Sequence, residues 1–415
     1  MLLPALPTSL LIRNSEHGAK FPNIFMKYYS ESNRGVHARI PIREEDEVMR
    51  IPRDCLVTVE MGKECDIGIK MARSQNSHIT TKHNYLSMFV LQDKESKTSF
   101  FQPFYDILPE NYSNMPIFWG PEELALLEGS YILTQINDRK RNIKRDYDLI
   151  CEHAPEFGRF TPTEFCWARM MVASRNFGIE VDKVKTDALV PLADMLNHFR
   201  PRETKWSFHQ DLDKNGAFTI TALCDLEQGA QIYDSYGKKC NHRFLLNYGF
   251  AVEHNRDADG RCHNEVRVVV DMPDDVPMYG TKVNLLEGSR TDKGMRVSMY
   301  YDDKSTREAL SYLRFINAAG NEVMMLPPLG DDADLGANPL APISIANETV
   351  CLRTLATLMQ RQLDRYPTSW EDDTEFLEVK KRRLTWKELR VWEPRLCVFC
   401  VVWCVVVYSV ICIYV

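Results

Sequence analysis

The 415-residue chain carries 51 Lys and Arg against 58 Asp and Glu, so its net charge at neutral pH is −7. A composition of 44% hydrophobic and 26% charged residues is that of a folded globular protein and excludes disordered, collagen-like and low-complexity chains. The acidic balance argues against a binder of nucleic-acid phosphates, because such proteins need a strongly positive surface. The length corresponds to roughly two or three domains.

Short β-type runs dominate the N-terminal part of the chain. They cover residues 34–40, 47–51 and 56–59, and Pro41 and Pro52 separate them. Runs of this length are typical of strands in a small, frequently interrupted sheet. We therefore predict a β-rich frame at the start of the protein.

Residues 80–172 have the apolar spacing of helices instead. Pro121 is a helix-start signal, and Leu124, Leu127 and Tyr131 continue one apolar stripe after it. This pattern predicts a helical insert within the β-rich frame.

Strand signals return after the insert. Asn215 and Gly216 are typical of a hairpin turn, here between strands at residues 206–209 and 217–223. A further strand is predicted over residues 231–236, after Gly229.

The last third of the chain reads as helical. A polar stretch at residues 255–260 predicts a boundary, and residues 305–318 and 347–365 predict helices, the second with Asn347 as its cap. Residues 326–342 predict the loop between them. The apolar residues of the second helix share one face: Leu352, Leu355, Met359 and Leu363.

The cysteines predict a reducing compartment. Eight of the twelve are scattered from Cys55 to Cys351 without close pairs, which fits reduced thiols in the cytoplasm or nucleus. The other four lie in the C-terminal tail, where Cys397 and Cys400 form a CxxC inside an apolar run. Since no second pair accompanies it, we predict buried or lipid-facing thiols there and no metal site in the chain.

The C-terminus has two interpretations. Leu396–Val415 is uncharged, and as a helix it would rise about 30 Å, the thickness of a bilayer core. A basic segment precedes it, which favours a cytoplasmic flank, so residues 379–415 predict a membrane anchor. The alternative is a terminus without a selected function. The N-terminus, interrupted by Pro4 and Pro7, is not predicted to be a secretory signal.

Two segments of the sequence are rich in residues that could take part in binding or catalysis. Residues 173–177 read ASRNF and are followed by VPLADMLNH at residues 190–198; residues 229–237 read GAQIYDSYG and are followed by LNYGF at residues 246–250. The chain lacks the phosphate loop, the dinucleotide fingerprint and the zinc-protease and serine-hydrolase motifs.

These segments resemble the SET-domain methyltransferases, and within them the branch of the Rubisco large-subunit lysine methyltransferase and the actin-histidine methyltransferase. The likeness extends over about residues 20–378. Residues 34–38 resemble the branch's first cofactor motif and residues 51–60 its following strand. Residues 104–113 resemble the helical insert, and residues 366–373 resemble the C-terminal helical domain.

The resemblance implies an α+β fold. A β-rich SET core with knotted C-terminal segments would occupy residues 20–252, split by the helical insert at about residues 80–172. An α-helical substrate-binding domain would follow at residues 256–378, and then the basic segment and apolar tail.

The resemblance also implies S-adenosylmethionine as the cofactor and a protein as the substrate. Tyr236 matches the family's active-site tyrosine, against the alternative of a core tyrosine at a strand end. Arg175 would pair with the cofactor carboxylate or else form an internal salt bridge. The residues matched to the cofactor site are Arg34, Gly35, Val36, His37, Arg175, Asp194, Asn197, His198, Tyr248 and Phe250.

The acceptor is expected to be a lysine. Methyl transfer needs a neutral amine, and neutralising a lysine of pKa about 10.4 at pH 7 costs about 4–5 kcal/mol. An apolar channel lowers that cost, and Phe177 stands where the Rubisco-type enzymes also have Phe and the histidine-modifying relative has a polar residue. A histidine methyltransferase and a catalytically silent SET protein are the alternatives.

Five positions depart from the family pattern. Asn33 stands near a usual Gly, Ala230 replaces Glu, and Asp234 replaces an apolar residue; Cys240 replaces Ser, and Arg243 replaces Glu. None of them is a residue matched to the catalytic or cofactor site, but Asp234 places a charge beside the predicted active strand.

Overall fold

Helices and short strands alternate along the part of the chain that the structure describes. This computed structural model describes residues 13–30, 33–74, 80–181, 183–253, 255–286, 295–300, 303–326 and 340–381. The strands are β1 (Ile24–Ser30), β2 (Asn33–Ala38), β3 (Glu47–Pro52), β4 (Val57–Thr58), β5 (Asn176–Val181), β6 (Val184–Leu189), β7 (Asn197–His198), β8 (Thr204–His209), β9 (Ala217–Ala222), β10 (Gln231–Asp234), β11 (Glu265–Val270) and β12 (Met295–Tyr300). The α-helices are α1 (Val59–Glu64), α2 (Asp66–Arg73), α3 (Lys82–Lys94), α4 (Gln102–Tyr105), α5 (Pro121–Ala125), α6 (Tyr131–His153), α7 (Pro162–Arg175), α8 (Asn241–Tyr248), α9 (Tyr279–Leu286), α10 (Asp303–Asn317), α11 (Ile345–Leu363) and α12 (Trp370–Lys381).

The chain divides into two compact units. The first consists of Met1–Ser113 and Asn137–Gly237, and the second of Asn114–Ile136 and Lys238–Val415. Part of the predicted helical insert therefore belongs to the second unit. The polar stretch at residues 255–260, predicted as a boundary, also lies within the second unit.

Three small sheets form the β-rich frame of the first unit. Their strand orders are β1-β2-β10-β7, β3-β9-β8 and β4-β6-β5. The predicted strands at residues 34–40 and 47–51 are confirmed. The run predicted over residues 56–59 is shorter, because the side chain of Thr58 accepts a hydrogen bond from the Met61 amide and caps a helix that begins at Val59.

The predicted hairpin is confirmed. β8 and β9 pair antiparallel from Thr204↔Ala222 to His209↔Ala217. Gly216 immediately precedes β9 with φ +90°, a conformation that favours glycine. Phe218 and Ile220 point from β9 into the core and are fully buried.

The helical insert leads directly into the sheet. Helix α7 starts with a capping box, in which the Thr161 hydroxyl accepts from the Glu164 amide at 3.2 Å and the Glu164 carboxylate accepts from the Thr161 amide at 2.7 Å. The helix packs on α3 and ends at Arg175, and β5 begins at the next residue. A rigid helix therefore sets the position of the ASRNF segment.

The predicted helix from Pro121 is interrupted. It starts at Pro121 as expected, where the Glu123 carboxylate accepts from the Gly120 amide at 2.8 Å, but it ends at Ala125. Gly129 has φ +82°, so the helical spacing through Leu127 and Tyr131 spans a turn and the start of a new helix.

Gly129→Ala is expected to lower the free energy of unfolding by about 3 kcal/mol or more, because a left-handed φ costs a non-glycine residue about 1–2 kcal/mol and a Cβ would also overlap the Arg365 carbonyl. Gly260→Ala is the matched control, since Gly260 has φ +83° and open space around its Cβ position. Denaturant unfolding of both variants measures the difference. Equal losses would contradict the close packing of Gly129.

Helices surround a hydrophobic core in the second unit. The side chains of Tyr312, Leu355 and Met359 are fully buried in it. The predicted helices at residues 305–318 and 347–365 are confirmed, with Leu352 and Leu363 packed against the core.

Asn347 is not the cap of α11. Ser344 caps it, because the Ser344 hydroxyl accepts from the Asn347 amide at 3.0 Å. The Asn347 side chain turns inward and donates to the Arg314 carbonyl at 3.1 Å, which ties α11 to α10.

No helix in the described part of the chain is both long and apolar enough to cross a bilayer. The predicted anchor at residues 396–415 and its CxxC lie outside the described residues, as does most of the predicted loop at residues 326–342.

Candidate active site

Three sequence-predicted segments come together in one sheet. β10 pairs antiparallel with β2, where Ile232 faces Val36, and parallel with β7, where Tyr233 faces Asn197 and Asp234 faces His198. β10 therefore lies between β2 and β7 in the sheet, although more than 150 residues of sequence separate β2 from β7. The structure thus brings together three of the segments that the sequence motifs singled out, and their role as a site stays a prediction.

Asn197 and Arg34 connect the outer strands of this arrangement. The Asn197 side-chain amide donates to the Arg34 carbonyl at 2.8 Å, and the Arg34 guanidinium donates to the Ile107 carbonyl at 2.9 Å. Val36, two residues after Arg34 on β2, is 1% exposed and belongs to the core. The side chains of Asn197 and Arg34 therefore fix β7 and β2 to each other and to the insert.

Tyr236 is held at two points by the Leu196–His198 segment. Its hydroxyl donates to the Leu196 carbonyl at 2.8 Å, and its backbone amide donates to His198 Nδ1 at 3.0 Å. The rings of His198 and Tyr236 stack with centroids 5.2 Å apart. The strand predicted through residue 236 ends at Asp234, so Tyr236 lies in the following loop and depends on these contacts for its position.

Arg175 and Asp194 form a buried ion pair. Arg175 Nη1 donates to Asp194 Oδ2 at 2.9 Å and to the Asp194 carbonyl at 3.2 Å, while Arg175 Nε donates to the Tyr112 hydroxyl at 3.4 Å. The Asp194 side chain is 0% exposed. Burial raises the pKa of Asp194, and the neighbouring Arg175 acts in the opposite direction.

One oxygen of this pair lacks a hydrogen-bond partner among the described residues. This oxygen, Asp194 Oδ1, is buried. A buried carboxylate oxygen without a partner is costly, and an ammonium group would satisfy it. Together with the Arg175 guanidinium, which suits a carboxylate, the pair fits the amino-acid end of S-adenosylmethionine.

Gly35 and His37 have structural partners in the sheet. A Cβ on Gly35 would lie 2.7 Å from the Tyr29 hydroxyl and 2.5 Å from Gln231 Nε2, so it would displace the ends of these two side chains. His37 Nε2 lies 2.6 Å from the same Tyr29 hydroxyl, and His37 Nδ1 lies 2.8 Å from the Gly229 carbonyl. Both ring nitrogens are therefore engaged, and a cofactor contact of either residue stays a prediction.

Phe177 lies in an aromatic cluster near the start of β5. Its ring contacts Phe218 and Trp206 edge-on, with centroids 5.0 and 5.8 Å apart. The two-residue step from Arg175 puts Phe177 on the strand that continues directly from α7. An apolar wall at this position is what the sequence predicted, and its contact with a substrate stays a prediction.

Comparison with known proteins finds similar sequences. A family profile described as Rubisco LSMT substrate-binding matches residues 273–398. The chain is 26% identical over 382 residues to the actin-histidine N-methyltransferase of Rhinolophus ferrumequinum, which covers 88% of this chain and 62% of that protein. It is 25% identical over 364 residues to the chloroplastic fructose-bisphosphate aldolase lysine N-methyltransferase of Arabidopsis thaliana, which covers 84% of this chain and 71% of that protein.

Solved structures agree on the fold. The SET domain of LSMT bound to methyllysine and AdoHcy superimposes with a TM-score of 0.79 at 18% identity, covering 99% of this chain and 93% of that chain. Rubisco LSMT bound to AdoMet gives a TM-score of 0.77 at 18% identity, covering 98% and 92%. This chain has the SET fold of Rubisco LSMT and is similar in sequence to the actin-histidine and aldolase-lysine methyltransferases. It spans 62% of the length of the actin-histidine relative.

Tyr248 and Phe250 belong to the second unit of the chain. Their rings lie 5.9 Å apart, and Phe250 stacks on Phe244 with centroids 5.2 Å apart. The Asn114 side chain donates to the Tyr248 carbonyl at 3.2 Å and holds the turn at Gly249. Their predicted role as walls of the cofactor pocket stays a prediction.

The departures at Asn33 and Asp234 are accommodated locally. Asn33 begins β2 and pairs with Ser30 of β1. Asp234 is 3% exposed; its carbonyl accepts from the Phe199 amide at 3.0 Å, and its carboxylate lies 3.5 Å from the Thr204 hydroxyl. The charge that the sequence placed beside the active strand thus lies inside the first unit, near a polar partner.

One cluster of three side chains that could bind a metal was not predicted from the sequence. Cys240, His242 and Glu265 each place a ligand atom within 4.8 Å of the other two, and all three are buried. The Cys-x-His spacing at residues 240–242 was the available signal. It carried no weight by itself, because the third member comes from a strand 23 residues further along the chain.

Proposed function

We propose that this chain is an S-adenosylmethionine-dependent protein methyltransferase that modifies a lysine side chain of a non-histone protein. The observation that carries the proposal is the arrangement of Tyr236, whose hydroxyl and amide are both held by the Leu196–His198 segment. The named methyltransferases among the relatives and the LSMT fold support the same class of reaction.

The proposed cofactor contacts come from the first unit. Asp194 Oδ1 would accept from the cofactor ammonium, and the Arg175 guanidinium would receive its carboxylate. Asn197, His198 and the β2 segment Arg34–His37 would bind the rest. When bound, the cofactor supplies a methyl group on a positively charged sulfur.

Tyr236 would align the acceptor nitrogen. A hydroxyl that donates to a carbonyl, as Tyr236 does to Leu196, can still accept a hydrogen bond from an amine N–H. Such a contact orients the nitrogen lone pair, and orientation is the main work in a one-step displacement. His198 is a positioning residue in this scheme, since it acts through the Tyr236 amide and ring.

The lysine assignment depends on Phe177. Its ring packs with Phe218 and Trp206, and an apolar cluster of this kind suits the methylene chain of a lysine and disfavours the ammonium form. Histidine is the second candidate acceptor, because relatives 26% identical to the chain are named actin-histidine methyltransferases.

The second unit would bind the protein substrate. The substrate-binding family profile matches residues 273–398 of it. Three apolar side chains of this unit are largely exposed: Met324 (83%), Met325 (70%) and Ile345 (89%). The Ser344 hydroxyl donates to the Glu322 carboxylate, and this hydrogen bond connects the segment of the two methionines to the start of α11. Large exposed apolar side chains grouped in this way are typical of a protein-binding surface.

Methyl labelling of the native proteome tests the proposal. The purified chain and tritiated S-adenosylmethionine are added to a lysate, and the labelled protein is hydrolysed in acid. Methyl-lysine is the expected product. Methyl-histidine would instead identify the chain as a histidine methyltransferase. If the chain binds the cofactor and no protein is labelled, it is a catalytically silent SET protein.

The proposed compartment is the cytoplasm or nucleus. The eight cysteines in the described residues are all free thiols, and four of them are buried. Reduced cysteines of this kind are favoured in those compartments. Fractionation of cells that express the full chain checks this assignment.

A further inference from the structure

Three buried side chains of the second unit meet around one point. Cys240 immediately precedes α8, His242 lies in its first turn, and Glu265 begins β11; they are 4%, 5% and 9% exposed. Cys240 Sγ lies 3.2 Å from His242 Nε2 and 3.7 Å from Glu265 Oε1. His242 Nε2 lies 3.6 Å from the same Glu265 oxygen.

These separations match the edges of a zinc coordination tetrahedron. Zinc bonds of about 2.3 Å to sulfur and about 2.0–2.1 Å to nitrogen or oxygen put sulfur about 3.5 Å from the other ligands, and nitrogen about 3.3 Å from oxygen. The three observed separations differ from these values by no more than about 0.4 Å. A cation at the centre therefore requires only small side-chain movements.

All three side chains are withdrawn from water. Burial raises the pKa of the Cys240 thiol and lowers the pKa of His242. The Glu265 carboxylate has the Arg267 guanidinium 3.7 Å away on a side chain that is 45% exposed. A divalent cation would add positive charge beside this buried carboxylate and would stabilise the thiolate form of Cys240.

We propose that Cys240, His242 and Glu265 bind a zinc ion. One thiolate, one imidazole and one carboxylate suit zinc, whereas calcium and magnesium prefer sites made of oxygen alone. Three protein ligands leave the fourth position to water. The ion would fasten the segment before α8 to the start of β11.

Binding is a simple exchange of a proton for the metal. The Cys240 S–H bond breaks, the S–Zn bond forms, and the proton leaves to solvent without oxidation or reduction. None of the three ligands has a role in the proposed methyl transfer. The zinc proposal therefore stands or fails independently of the proposed function.

The test uses the full chain, stripped with a chelator and titrated with Co²⁺ as a spectroscopic probe. One equivalent is expected to give a thiolate-to-cobalt charge-transfer band with the visible absorption of a tetrahedral site, and Zn²⁺ is expected to abolish both. Cys240→Ser should remove the charge-transfer band. It should also weaken zinc binding by more than about 100-fold, because loss of a direct ligand costs more than loss of a residue that only hydrogen-bonds to a ligand.

Two cysteine variants serve as controls. Cys262→Ser removes another buried thiol of the same unit, and a double Cys397→Ser, Cys400→Ser variant removes the CxxC of the tail. Both are expected to keep the cobalt spectrum. Loss of the spectrum in the tail variant would place the metal there and overturn the proposal.

A second ligand variant guards against misfolding. Glu265→Gln keeps the size of the side chain and removes its charge, so its far-ultraviolet circular dichroism should match that of the unaltered chain while zinc binding weakens by about 10-fold or more. Native circular dichroism with no cobalt spectrum in the unaltered chain would show a metal-free, hydrogen-bonded trio. An unchanged spectrum in Cys240→Ser would also contradict the assignment.

Discussion

Tyr236→Phe is expected to lower kcat for methyl transfer by about 100- to 1,000-fold, the loss typical when one positioned polar group is removed from an active site. The variant keeps the aromatic ring that stacks on His198 and the amide bond to His198 Nδ1, so the loop should stay in place. Cofactor affinity, measured by calorimetry with S-adenosylhomocysteine, is expected to change little. The loss would thus appear in kcat and leave binding intact.

Tyr147→Phe is the matched control for this experiment. The Tyr147 hydroxyl donates to the Phe160 carbonyl at 2.7 Å, a bond of the same kind within the same unit. Both variants lose one tyrosine-to-carbonyl hydrogen bond, and their stabilities should fall by a similar amount of about 1 kcal/mol. Similar activities for the two variants would show that Tyr236 has only a structural role.

Asp194→Ala is expected to lower the free energy of unfolding by about 3–5 kcal/mol, because it leaves the Arg175 guanidinium buried without its charged partner. The same change removes the oxygen proposed to bind the cofactor ammonium, so S-adenosylhomocysteine binding should be lost as well. Denaturant unfolding and calorimetry measure the two effects.

Asp148→Ala provides the comparison for that stability loss. Asp148 pairs with Lys144 at 2.6 Å on an exposed helix surface, with side chains 55% and 72% exposed, so its removal should cost about 0.5 kcal/mol or less. A double Asp194→Leu, Arg175→Met variant should recover part of the lost stability, since it removes both charges. If Asp194→Ala and Asp148→Ala unfold at the same denaturant concentration, the buried pair does not stabilise the first unit.

Local signals predicted much of the fold. The Asn215-Gly216 pair identified the β8–β9 hairpin, and the apolar spacing identified the core face of α11, because both depend on residues close together in sequence. The helix boundary at Thr58 was missed, since a β-branched run has the composition of a strand and only the hydrogen bond from Met61 shows the cap. Gly129 similarly interrupts the helical spacing that the sequence predicts from Pro121 through Tyr131.

The site itself was predictable only in outline. Motif resemblance brought Tyr236, Asn197 and His198 together, but not the contacts that hold the tyrosine. Arg175 had both a cofactor contact and an internal salt bridge open to it, and the structure shows it paired with Asp194. The Cys240–Glu265 contact could not be inferred, because it depends on how a strand crosses the start of a helix.

The parallel pairing of β7 with β10, next to β2, has a consequence for synthesis. β10, which pairs with both β2 and β7, is the last of the three strands to be synthesised, almost 200 residues after β2. Contacts between such distant parts of a chain form slowly and late, after the loop between them has been closed. A ribosome-bound fragment that ends before residue 231 would therefore carry most of the proposed ligand-binding residues and still have no assembled pocket, so partial translation products should be inert toward the methyl donor.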